Sequence, residues 1–159
     1  MIETNQTELD FRVAELDDPR ILDLLSTHAR LAPEGARCRQ GHALQIDALR
    51  DPAIQVWSIW RDESLVAVGA VRQLNANHGE LKSMFVSSTA RGEGLGRILL
   101  EQLIAVARND GTTRLSLETG ASTYFAAARQ LYARHGFEIC EAFDDLPPHA
   151  DSVFMTRAI

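Results

Sequence analysis

Apolar positions along this chain recur with two different periods, and the changes from one to the other mark out its elements. Leu9 to Leu16 alternates loosely and reads as a strand. Asp17-Asp18-Pro19 follows as a helix start, an acidic cap with proline at the first helical position, and the spacing predicts a helix to about Arg30. Ala32-Pro33-Glu34-Gly35 breaks it, a basic loop with Arg37 and Arg39 comes next, and a second short helix is expected from about Ala43 to Leu49, ended by Asp51-Pro52. Ile54 to Trp60 and Leu65 to Leu74 are β-rich runs joined by a short turn, so they predict a hairpin. The Asn75 to Gly79 turn then leads into a further strand, Glu80 to Val86.

Past mid-chain the period changes. Leu95, Leu99, Leu103 and Ala107 share one face with Leu100 and Ile104, while Arg97, Glu101 and Arg108 point away, which predicts an amphipathic helix stopped at Gly111. Arg114 to Glu118 reads as the next strand, parallel to the one before the helix, with a right-handed crossover. A loop at Thr119 to Ser122, a helix over about Thr123 to Arg134, a strand at Phe137 to Glu141, a loop around Pro147 and Pro148, and a last strand at Ser152 to Arg157 complete the order. The expected class is α/β, with about six to seven strands in a mixed twisted sheet flanked by about four helices.

A length of 159 residues fits one domain, 1–159, large enough to bury a core. Hydrophobic residues at 45% and charged residues at 24% are ordinary for a globular protein. The formal net charge of -6 argues against a general binder of nucleic acid or of anionic membranes. No apolar run approaches membrane-spanning length, and the polar, acidic N-terminus does not read as a signal peptide, so a cytoplasmic location is expected. Cys38 and Cys140 are too few and too isolated for a disulfide framework or a metal site, and no metal is expected.

The chemistry concentrates between Glu80 and Arg97, ELKSMFVSSTARGEGLGR, where a strand runs through a glycine-rich turn into a helix. Glycines there let backbone N–H groups approach a ligand, and the first turn of a helix offers unpaired N–H groups and a partial positive charge to a phosphate. A Walker A loop is excluded, since Gly96 is followed by Arg97 and Ile98 rather than Lys-Ser/Thr. A dinucleotide fingerprint is harder to dismiss, because Gly92-x-Gly94-x-Gly96 lies between strand and helix and Glu118 falls near the place of a ribose-binding acid. Against it, five residues separate Val86 from Gly92, and the third glycine comes one place early.

Arg91-x-x-Gly94-x-Gly96 resembles the acyl-CoA pyrophosphate loop of the GCN5-related N-acetyltransferases (GNAT). Ala128-x-x-Leu131-Tyr132 followed by Gly136-Phe137 resembles a second signature of that family, and the predicted element order is similar to its fold along nearly the whole chain. Leu117-Glu118-Thr119-Gly120 with Phe154-Met155-Thr156-Arg157 looks like a bacterial branch of largely unassigned members. One position departs from the pattern: where many members carry a cofactor-contacting asparagine, three residues before Ala128, this chain has Phe125.

The resemblance implies transfer of an acetyl group from acetyl-CoA to a primary amine on a small molecule, by direct attack in a ternary complex. It places the cofactor along Met84, Phe85 and Val86, whose strand bulges in the family and turns its amides toward the thioester, and along Arg91, Gly92, Glu93, Gly94, Leu95, Gly96 and Arg97. Tyr132 stands at the family's tyrosine, a proton donor for the departing thiolate. Glu80 is the first candidate for the base that takes the amine's proton, with His78 and Glu118 as alternatives. The first two helices and their loop wall the acceptor pocket in this fold, which brings in Arg30, Arg37, Arg39, His42 and Trp57, and arginines there suit a carboxylate-bearing amine. The acidic balance of the chain equally suits a cationic acceptor such as a polyamine or aminoglycoside, a peptide or protein amine is a further alternative, and a non-catalytic acyl-CoA-binding module is an alternative function. Exposed β edges and family habit point to a homodimer.

Overall fold

The computed structural model describes residues 8–31, 42–143, 148 and 150–159, with the backbone alone at 42–44. The elements are β1 (Leu9–Val13), α1 (Pro19–Leu31), α2 (His42–Ala48), β2 (Ile54–Arg61), β3 (Ser64–Gln73), β4 (His78–Val86), α3 (Leu95–Asn109), β5 (Arg114–Gly120), α4 (Ala126–Arg134), β6 (Glu138–Cys140) and β7 (Ser152–Ala158). Short 3-10 turns at Ser88–Ala90 and Thr123–Phe125 precede α3 and α4. The strands form one seven-stranded sheet in the order β1-β2-β3-β4-β5-β7-β6, antiparallel except for β4 beside β5. This is the mixed sheet with four helices that the periodicities predict, and its single parallel pair is not the run of parallel strands a dinucleotide fold uses.

Boundaries differ where side chains or turns compete with the sheet. β1 stops at Val13, because Ala14 gives its N–H to Val56 and the chain then turns, with Asp18 N bonded to the Glu15 carbonyl. Asp18 next accepts the N–H of Arg20 at 2.9 Å and Pro19 sits first in α1, so the helix starts where its cap is. β4 begins at His78, before Glu80, since Asn75 closes the preceding turn by accepting the Asn77 N–H at 2.9 Å. β5 runs on to Gly120, held by pairing of Thr119 with Val153 and Gly120 with Ser152.

The two sheet faces carry separate cores. α3 lays Leu99, Leu100, Leu103 and Ile104 on Val71, Leu81, Leu115 and Leu117. Gly69 permits this approach, since a Cβ there would lie 2.9 Å from Leu103 Cδ1. On the opposite face α1 buries Ile21 and Leu25 with Val56, Trp60, Val68, Ala70 and Phe85. Each buried Leu, Ile, Val or Phe among these contributes about 1.5–3 kcal/mol of transfer free energy.

The middle strand is where the fold makes a site. Val68 pairs with Phe85 and Ala70 with Lys82, so Ser83 and Met84 together oppose Gly69 alone: β4 bulges there, with Ser83 at φ 54°. The extra residue reverses the alternation. Leu81 faces α3, and so do Met84 and Val86, whereas Phe85 joins Glu80 and Lys82 on the α1 face. The pairing of β4 with β5 also ends at Leu81 opposite Leu117, so the described register leaves Lys82–Val86 without a β5 partner.

Candidate active site

The glycine turn closes the site at one end. Gly92 and Gly94 have φ of 81° and 78°, a conformation that L side chains rarely adopt, and a Cβ at either would meet nothing within 4 Å. Gly94 is the residue before α3 and makes no side-chain cap, so the first N–H groups of the helix take no capping partner from it. That cradle fits a diphosphate, held by backbone amides and the helix dipole. Gly96 has a different reason: a Cβ there would sit 3.4 Å from Leu131, at the contact of α3 with α4.

The charged loop residues are occupied in holding the turn. Arg91 donates from Nε to the Val86 carbonyl at 3.3 Å, and its guanidinium lies 5.1 Å from the Phe85 ring centre. Glu93 pairs with Arg61 at 2.7 Å. Arg97 is exposed and pairs along the helix with Glu101 at 3.2 Å. Leu95 is buried in the α3 core, so only its backbone faces the turn.

On the α3 side of the bulge stands Tyr132. Its hydroxyl lies 3.8 Å from Met84 Sδ, and its ring packs edge-on against Phe137 at 6.0 Å. Burial pushes the phenol up to about 12, so the group carries its proton at neutral pH. The ring of Phe125 covers Gly120, where there is no room for a Cβ, while Arg129 ties the Gly120 and Ser122 carbonyls to α4.

On the α1 side, the Glu80 side chain is 1% exposed and held by Arg72 Nη1 at 3.4 Å and Lys82 Nζ at 3.3 Å. His78 sits further back, bonded through Nε2 to Ser116 Oγ at 2.6 Å, with Ser116 bonded to Thr156 at 2.9 Å. It lies at the closed end of the β4–β5 pair, opposite Arg114, whereas Glu80 lies one residue from the last paired position and Glu118 one residue beyond it. Trp57 does not join this face: opposite Gly69 it packs with the α3 core and stacks on Phe11 at 4.8 Å. A register inside a hairpin decides that, and the alternation of a half-buried strand does not announce which face is which. Arg30 lies exposed in the last turn of α1, bonded to Thr27. Arg37 and Arg39 lie outside the described residues; His42 opens α2, and its side chain lies outside them too.

The sequence reading missed His28. Ile21, Leu25 and His28 follow one another at helical spacing on the apolar stripe of α1, and that placement of an imidazole was the available signal. Its ring lies 4.8 Å from Phe85, opening a row of three groups, His28, Phe85 and Arg91. Burial first, and the Arg91 charge second, lower its pKa from 6.5 to about 4. The unfolded chain therefore binds this proton more readily than the folded one. Stability from this residue is complete above about pH 6.5 and is lost as pH falls toward about 4, by about 3 kcal/mol over the full span. Urea midpoints between pH 7.5 and pH 4 should fall less steeply in His28→Phe than in the wild type; equal slopes would mean that His28 titrates normally.

Among the described residues no group of three or more His, Cys, Asp and Glu side chains is placed to hold a metal ion, and no helix is long and apolar enough to cross a membrane.

Comparison with known proteins bears on the whole arrangement. The family model described as Acetyltransferase (GNAT) family matches residues 21–137. Uncharacterized N-acetyltransferase YsnE of Bacillus subtilis (strain 168) is 34% identical over 151 residues, 95% of this chain and 100% of the relative. Uncharacterized N-acetyltransferase YedL of Escherichia coli (strain K12) is 36% identical over 144 residues, 89% of this chain and 91% of the relative. Among solved structures, a GNAT family acetyltransferase from Elizabethkingia anophelis with acetyl-CoA bound superimposes with a TM-score of 0.73 at 18% identity, over 95% of this chain and 98% of the other. With the glycine cradle at the head of α3, the opened and bulged β4 and the extent of these matches, the chain belongs to the GNAT family and is an acetyl-CoA-dependent N-acyltransferase.

Proposed function

We propose that this enzyme acetylates a primary amine on a small molecule, by direct attack of the amine on bound acetyl-CoA. The observation that carries the reading is the bulge in β4, which turns Met84 to the Tyr132 hydroxyl on one face of a strand whose other face carries the Glu80 carboxylate. The diphosphate rests on the amides between Gly92 and Arg97, and the pantetheine arm takes the strand position that β5 leaves beyond Leu81. Backbone N–H groups at Met84 to Val86 stabilise the carbonyl oxygen as it becomes an oxyanion. The new C–N bond forms as the C–S bond breaks; Tyr132 protonates the thiolate, and the amine's proton leaves through water toward Glu80. Glu80 is favoured over His78 by its place near the end of the β4–β5 pairing. A small acceptor is favoured because α1 covers β4 closely enough to bring His28 into ring contact with Phe85 beside the bulge.

The test has two stages. Thermal unfolding with saturating acetyl-CoA should rise by several degrees, about 2.7 kcal/mol at a hundred times the dissociation constant, with NADH and ATP as inactive controls. Thiol release is then followed with polyamine, aminoglycoside, amino-acid and lysyl-peptide amines. Turnover confined to peptides would replace the small-molecule acceptor, and binding without any turnover would leave an acyl-CoA sensor. In the same assay Glu80→Gln should lose the acidic limb of the pH–rate profile; an unchanged profile removes Glu80 as the base.

A further inference from the structure

Resting on that reading, we infer that His28 binds the attacking amine: its imidazole Nδ1 accepts a hydrogen bond from the acceptor's N–H and aims the nitrogen lone pair at the thioester carbonyl beside the β4 bulge. Three observations converge on it. Nδ1 of His28 is buried and has no hydrogen-bond partner in the protein, which is costly for a polar atom unless a ligand or water supplies one. The ring is fixed against Phe85, the residue that the bulge turns onto the α1 face, and Arg91 approaches the same phenyl ring. Glu80 and Lys82 share that face of β4, so an amine lying between His28 and the thioester is also on the side of the carboxylate that receives its proton.

The electrostatics agree with an acceptor role. An imidazole kept neutral at working pH has a lone pair to offer, whereas a protonated one would repel the cationic form of the incoming amine and could only donate. The neutral form here follows from burial and from the nearby Arg91 guanidinium. His28 thus holds the amine, and proton removal stays with Glu80.

Hydroxylamine, a small neutral amine nucleophile, is the probe, with acetohydroxamate formation from acetyl-CoA followed above the uncatalysed background. His28→Phe keeps an aromatic ring against Phe85 and lacks the nitrogen; His28→Asn places its amide oxygen the same number of bonds from Cα as Nδ1. The expected result is a loss of about tenfold or more in kcat/KM for hydroxylamine in His28→Phe, the scale of one hydrogen bond, and a loss within about threefold in His28→Asn. Both variants should keep the thermal shift produced by acetyl-CoA. Wild-type rates in His28→Phe overturn the inference, as do equal losses in both variants or loss of the acetyl-CoA shift, each of which makes His28 a packing residue. A wild-type protein that binds acetyl-CoA and transfers to neither hydroxylamine nor any other amine overturns the acetyltransfer reading itself, and this inference with it.

Discussion

Replacing Tyr132 by phenylalanine should slow acetyl transfer by about 10²- to 10⁴-fold while leaving acetyl-CoA affinity within a few-fold of wild type. The hydroxyl's protein contact is Met84 Sδ at 3.8 Å, a weak acceptor, so its removal should change stability by less than about 1 kcal/mol. The effect is therefore confined to the step that uses the proton. Burial both helps and opposes that step. A phenol pushed up to about 12 is fully protonated and ready to donate, yet an ordinary thiolate, near 8.5, would take its proton uphill. The leaving thiolate forms against the same apolar wall, where loss of water raises its basicity as well and narrows the gap. The comparison to make is kcat and acetyl-CoA dissociation constant, wild type against Tyr132→Phe, with the amine saturating. Unchanged kcat would leave Tyr132 as a packing residue against Phe137 and move the proton donation to water.

Replacing Gly94 by valine should weaken acetyl-CoA binding by about ten- to a hundredfold. At φ 78° the backbone lies where a side chain costs about 1–2 kcal/mol, and more for a branched one. Relief of that strain would rotate the amides at the head of α3 away from the diphosphate. The new side chain would also project into the space left open at this position, which is the approach a phosphate needs. Gly96→Ala is the informative contrast: its Cβ would touch Leu131 at 3.4 Å, so its effect should fall on the fit of α3 against α4 more than on phosphate binding. Calorimetric titration with acetyl-CoA separates the two, and wild-type affinity in Gly94→Val would show that the cofactor's phosphates lie elsewhere.

Much of this was legible in the chain because it depends on neighbours in sequence. The apolar stripe of α3, the stop at Gly111 and the strand-turn-helix around Gly94 are local patterns, and each appears where the periodicity put it. So does Tyr132, brought beside Met84 by a helix whose own spacing predicts it. The family signatures lie in the same segments, since phosphate cradles are made of consecutive backbone. Trp57 and His28 were not legible in this way. Which side of a hairpin strand meets the second helix layer depends on a register set by residues far along the chain, and that register put Trp57 against α3. His28 reads as one more position on a helix face until β4 arrives beneath it.

By itself the sequence determined the kinds of element, their order, the glycine cradle and the tyrosine, because these follow from spacing, propensity and backbone freedom within a few residues. The tertiary structure alone decided which residues the bulge brings together. One extra residue in β4, opposite Gly69, reverses the alternation, so Met84 meets Tyr132 on one face while Phe85 turns to His28 on the other. A bulge belongs to a pair of strands and has no period of its own; it exists only once β3 has met β4, and the two halves of the site exist only from that point.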